Sequence, residues 1–355
     1  MAIPGELELA LSAEVSRLLE TELGVRGLLL GSERLAAAEA DAAERGVRLL
    51  RRAVEACYPA VRRGAAAELD LGAARDAARL ASALAFGAVT ARVLAHEVDD
   101  EVELLCATFN LGIGLVDALC DRAPELGGPF LDLVRERDLR TAAGELRPRG
   151  WLQLQLPPPL ATDATASFTA VVVEVFFETL HAVYPHDRWV EFRGGVGVEL
   201  LGALEAERRS VAWAAEGARL EELVETSRLT SVLPFRILET LAVGGSAVGG
   251  PRPSAGERLG EAMWRIDDLV DLGADVRSGA LNGILLRARG APRATAGGAA
   301  TVLERLLASG GLSTAAVEAA ESLQAGLTLA APSDERAASF LGFVQRYAGI
   351  EPHLS

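Results

Sequence analysis

Residues 264–275 read Trp-Arg-Ile-Asp-Asp-Leu-Val-Asp-Leu-Gly-Ala-Asp and set four carboxylates into an otherwise apolar run. At about 100° per residue of helix, Asp267, Asp271 and Asp275 fall in one stripe roughly 80° wide, with Asp268 beside it. Trp264, Ile266, Leu269, Val270 and Leu272 flank the stripe, so the segment has no continuous polar face. Carboxylates stacked on the packed side of a helix repel one another and lose hydration, which is unfavourable unless a cation neutralises them. A hard divalent ion suits oxygen ligands, and Mg²⁺ keeps waters and accepts phosphate oxygens as well. The alternative is a helix whose acids simply face water at one end of a bundle.

A second acidic patch follows the same design. In residues 109–121, Asp117 and Asp121 stand four apart after a run rich in Leu, Ile, Val and Gly. That spacing puts them about 40° apart on one helical face, where like charges destabilise a bare helix. A cation would relieve the strain, and so would a salt bridge from Arg122. Pro124 is expected to end or kink this helix before Glu125 continues the series.

The elements that must carry these patches are helical. Apolar positions recur at helical spacing over 6–23, 34–56, 72–97, 101–122, 164–183, 187–214, 217–242, 255–275, 299–309, 313–328 and 334–348. Alternation is rare, which predicts an all-α fold, a single large helical bundle in one domain. Breaks are expected at Gly127-Gly128-Pro129, in the Pro-rich loop about 145–162, at 244–253 and at 290–298.

Composition narrows the function. Of 355 residues half are hydrophobic and only 5% aromatic, as suits a large helical core packed through small side chains. A net charge of −15 argues against nucleic acid and anionic lipid as partners. Cys57, Cys106 and Cys120 have neither disulfide nor zinc spacing and read as buried thiols of a reducing cytoplasm. Residues 1–12 lack the features of a signal peptide. The uncharged run from Leu80 to Ala91 stops at 12 residues, short of the about 20 a membrane helix needs, so no membrane insertion is expected. His96, His181, His186 and His353 lack zinc spacing, and Gly194-Gly195-Val196-Gly197 follows no strand.

Two helices offering aspartates across a bundle resemble the class I isoprenoid synthase superfamily, and its trans-polyprenyl diphosphate synthase branch above all. Residues 260–271 are similar to that branch's second aspartate-rich region, and 273–279 to the loop that follows it. Asp267, Asp271 and Asp275 also fit the ligand triad of terpene cyclases. Residues 228–233 resemble the helix start that carries a diphosphate-binding Lys, with Arg228 in its place. Arg346-Tyr347 resembles the Arg-Tyr pair that contacts diphosphate in the cyclases.

The resemblance implies an isoprenoid synthase bundle with a central active-site cavity and three Mg²⁺ ions. Asp117, Asp121, Asp267, Asp271 and Asp275 would be the metal ligands, with Asp268 orienting them or pairing with Arg277. Arg228, Arg277, Arg346 and Tyr347 would meet the diphosphate of a prenyl diphosphate substrate. Cavity candidates are Phe109, Phe176, Phe177, Trp213 and Trp264, each equally readable as core; Phe109 lies two turns before Asp117. A homodimer is compatible with the resemblance.

Departures from the family pattern favour a cyclase. The basic Gly-Gly-Lys segment of elongating synthases is poorly matched by Gly31-Ser32-Glu33-Arg34, no Arg pair follows Asp121, and Val116 replaces an aspartate. The expectation is a terpene synthase that ionises farnesyl or geranylgeranyl diphosphate. The alternatives are a prenyl diphosphate synthase using isopentenyl diphosphate and a non-catalytic subunit of an active synthase.

Overall fold

The computed structural model describes residues 5–61, 74–142, 150–184, 186–212, 219–244, 253–278, 281–289, 304 and 306–350. Every regular element among them is an α-helix, so the all-α expectation holds. The first helices are α1 (Gly5–Val25), α2 (Ser32–Val61), α3 (Ala74–Leu94), α4 (Asp100–Arg122) and α5 (Pro124–Ala142). Two short turns, α6 (Trp151–Gln155) and α7 (Pro158–Ala161), lead into α8 (Ala164–Val183), α9 (His186–Ala212) and α10 (Leu220–Val243). The chain then forms α11 (Ala255–Val270), α12 (Leu272–Ser278), α13 (Gly283–Arg289), α14 (Gly311–Ala330) and α15 (Asp334–Tyr347).

Local chemistry explains where the key helices start. The Asp99 side chain accepts the Glu101 and Val102 N–H groups at 3.0 and 2.8 Å, and Asp100, Glu101 and Glu103 lie at the positive end of the α4 dipole. Ser254 accepts from the Glu257 N–H at 3.1 Å to open α11. Gly244, at φ 70°, closes α10 in the left-handed region.

Helix α4 packs between α3 and α8, while α11 packs against α10 and α14. The main apolar core draws on residues from α1 to α15, with Phe130, Phe177 and Phe340 fully buried. Helix α11 meets α10 almost backbone to backbone. A Cβ on Gly256 would lie 2.6 Å from the Phe235 carbonyl oxygen, and one on Gly260 would lie 2.8 Å from the Val232 Cα.

Three sequence expectations need correction. Gly127-Gly128-Pro129 does not break the chain, because Pro129 lies inside α5. Gly127 instead lets α5 approach α4, where an added Cβ would meet Cys120 Sγ at 2.8 Å. The expected Pro-rich loop contains α6 and α7 over 151–161, while 143–149 lie outside the described residues. The predicted helix 255–275 bends at Asp271 and resumes as α12. The expected breaks at 245–252 and 290–298 also lie outside the described residues.

Membrane-span length was also misjudged. Ala77–Leu94, Asp100–Arg122 and Ala164–Val183 are each long and apolar enough to cross a membrane. An uninterrupted uncharged run is too strict a test, because a span tolerates one or two charges. Here 56–67% of each segment is buried within the bundle, where α4 contacts both of the others.

Candidate active site

Asp117 and Asp121 project from the last turns of α4, and Asp267, Asp271 and Asp275 from the α11–α12 junction. The bend at Asp271 does not break the stripe. The Asp271 N–H donates to the Asp267 carbonyl at 2.8 Å, and the Asp275 N–H to the Asp271 carbonyl at 2.9 Å, so helical spacing is retained.

The two acidic patches share one space. Burial and then the charges of Asp121, Asp267, Asp271 and Asp275 push Asp117 up to about 7. Asp275 is pushed up to about 7 and Asp267 to about 6, both chiefly by burial, with neighbouring aspartates adding to the rise. Asp121 and Asp271 are raised in the same direction, again mainly by burial. Asp117, Asp121, Asp267 and Asp271 are exposed to solvent on one side, as the water-facing alternative expects, while protein crowds their other sides. That is the profile of groups at the mouth of a cleft.

Sequence reasoning missed two members. Glu207 on α9 is pushed up to about 8 by burial and by Asp117 and Asp121, so a third helix brings an acid to the cleft. Its signal was its register: Leu200, Leu204 and Glu207 follow one helical stripe. Asn282, almost fully buried, donates from Nδ2 to the Asp268 carbonyl and to Asp275 Oδ2, both at 2.8 Å. Its Oδ1 accepts the Ile284 and Leu285 N–H groups at 3.0 and 3.1 Å, opening α13. An Asn just before a helix is a recognisable cap, but nothing in the sequence ties it to Asp275.

The remaining predicted residues find other partners. Asp268 is buried and accepts the Gly283 N–H at 3.0 Å, which corrects the expected pairing with Arg277. Arg277 pairs with Glu8 of α1. Arg228 bonds Glu225 at 2.9 Å and Glu261 at 3.3 Å, and Arg346 pairs with Glu39 at 3.2 Å. These arginines are therefore engaged by acids outside the cleft rather than directed into it. Tyr347 does reach the cleft, but its hydroxyl donates its one proton to Asp267 and lies 3.4 Å from Asp271 Oδ2. Arg122 binds both Asp163 oxygens at 2.7 and 2.8 Å, so it does not neutralise Asp121 as the salt-bridge alternative required.

Next to the acids lies an apolar pocket lined by Phe109, Ile113, Val116, Phe176, Phe177 and Leu204, among others. Ile113 and Val116 lie within one turn of Asp117, and Leu204 within one turn of Glu207, so the pocket adjoins the α4 and α9 acids, lined by α4, α5, α8 and α9. It encloses only about 30 Å³ in this conformation, the space of roughly one water molecule. Phe109 and Phe176 face each other with ring centroids 5.4 Å apart. Trp264 is not part of this lining: its indole N–H donates to Ser227 Oγ at 2.9 Å, on the α10 side of α11. Trp213 lies outside the described residues.

The donor set suits a hard cation bound partly through water. Among the described residues no group of three or more His, Cys, Asp or Glu side chains stands close enough together to hold a metal ion. The mutual repulsion of the cleft acids nevertheless leaves an excess of negative charge that oxygen-preferring ions would relieve. The chain matches no family model, no curated protein and no solved structure.

Proposed function

We propose that this chain is a Mg²⁺-dependent class I terpene synthase acting on a linear prenyl diphosphate. The observation that carries the reading is the adjacency of two chemistries. Acids from α4, α9 and the α11–α12 junction feel one another's charge, and a phenylalanine-lined apolar pocket lies within a turn of the α4 and α9 acids. A substrate with an anionic head and a hydrocarbon tail matches that order of polar and apolar surface.

Asp117, Asp121, Asp267, Asp271 and Asp275 would hold the metal, and Glu207 would add to the field that attracts it. When bound, Mg²⁺ supplies the positive charge that neutralises diphosphate and eases its departure. Asn282 fixes the orientation of Asp275 through its amide. The rings of Phe109, Phe176 and Phe177 would exclude water from an allylic cation and offer it their π faces. They must also turn aside, because the pocket as it stands is far smaller than a prenyl tail.

Incubation with Mg²⁺ and each C10 to C25 prenyl diphosphate should release pyrophosphate and yield hydrocarbon or alcohol products by gas chromatography. Asp267→Asn should lower turnover by about 10²–10³, the scale of losing one preorganised electrostatic group. Products that lengthen only when isopentenyl diphosphate is added would overturn the cyclase reading.

A further inference from the structure

Tyr347 is the last residue of α15, and its hydroxyl donates to Asp267 beside Asp271. Those two carboxylates stand one turn apart on the α11 wall, where a shared cation would lie between them. A phenol O–H donated to a carboxylate is a weak substitute for that cation, since it offers partial rather than full positive charge.

The backbone carrying Tyr347 is held in place. Gln345, almost fully buried, accepts the Leu30 N–H at 2.9 Å through its side-chain oxygen. Ser16 Oγ donates to the Ala348 carbonyl at 3.0 Å, and Arg346 pairs with Glu39. Helices α1 and α2 thus clasp the end of α15 on both sides of Tyr347. The phenol can therefore leave the aspartates by rotating its own side chain while the helix end stays where it is. Tyr347 is 40% exposed, so its side chain borders solvent on one side.

We infer that Tyr347 is a latch on the metal-free site: its hydroxyl occupies the Asp267–Asp271 pair, and a divalent cation must displace it to bind. The inference rests on the metal-binding reading above and adds a residue that opposes loading rather than assisting it. The latch holds two repelling carboxylates in place until metal arrives, at the expense of affinity.

The test is Mn²⁺ binding to the full chain, followed by electron paramagnetic resonance of the free ion without any substrate. Tyr347→Phe removes only the hydroxyl and should tighten Mn²⁺ binding about fivefold or more, as expected for a lost hydrogen bond to a charged group. Tyr347→Leu serves the same purpose should the first variant fail to fold. Unchanged or weaker binding in the variant, with clear binding by the wild type, would overturn the latch and leave the metal site standing. Binding by neither protein would overturn both readings together.

Discussion

Helix α4 carries acids at both ends, and they are treated in opposite ways. Glu103 in its first turn is buried and met by Arg45 and, at 2.6 Å, by Arg48. Fourteen residues later, about 21 Å along the axis, the charges that bear on Asp117 and Asp121 among the described residues are those of other acids. The first arrangement answers each buried charge with an arginine and needs nothing from outside. The second accumulates repulsion and leaves it unanswered, which a stable fold tolerates where a ligand will supply the missing charge.

The contrast can be broken from either end. The largest effect should come from Glu103→Ala, which removes the shared partner of Arg45 and Arg48 and leaves the half-buried Arg45 to Asp41 alone. We expect a loss of about 1–3 kcal/mol of folding stability in urea titrations, with Mn²⁺ affinity of the folded fraction unchanged. An equal loss from Asp117→Ala would erase the distinction between the two ends.

A smaller effect is expected at Asn282. Asn282→Ser keeps a capping oxygen for α13 but lacks the amide that steadies Asp275. Metal affinity by calorimetry should fall about tenfold, the scale of losing a group that orients a ligand, while stability changes by about 1 kcal/mol at most. A variant binding metal as well as the wild type would reduce Asn282 to a cap.

The smallest effect lies in pH. The cleft acids bind protons more tightly folded than unfolded, with Asp267 at about 6, Asp117 and Asp275 at about 7 and Glu207 at about 8. Their contribution to stability is therefore complete below about pH 4 and is lost progressively as pH rises from about 4 through 8. The metal-free protein should lose about 2–4 °C more in Tm over that window than Asp117→Asn does. Added Mg²⁺ should recover more of the loss at pH 8 than at pH 6. Parallel melting curves for the two proteins would show that Asp117 does not feel its neighbours.

What the sequence revealed about this cleft was whatever depends on local spacing. Asp267, Asp271 and Asp275 were legible because helical geometry alone aligns residues four apart. Asp117 and Asp121 were legible for the same reason. The present partners of Arg228, Arg277 and Arg346 were not legible because an arginine's partner is chosen in space. Glu8 and Glu39 come from the far end of the chain and leave no local trace. Glu207 was hidden inside Glu205-Ala206-Glu207-Arg208-Arg209, whose charges suggest a solvated face. Pro129 misled for a different reason: Gly and Pro usually punctuate, but here Gly127 serves a helix–helix contact that sequence cannot display. The size of the pocket was beyond any pattern, since it depends on the rotamers of three phenylalanines.

The contact between α10 and α11 has a consequence for anyone redesigning this scaffold. Gly256 and Gly260 leave no slack between the two rods, so their two absent methyl groups act as a spacer gauge for the aspartate-bearing wall. Alanine at either would shift that whole wall as one piece, carrying every carboxylate on it out of register with α4 at once. The tuning of the mouth is thus written two and three turns further down the aspartates' own stripe, where the helix meets the backbone of its neighbour.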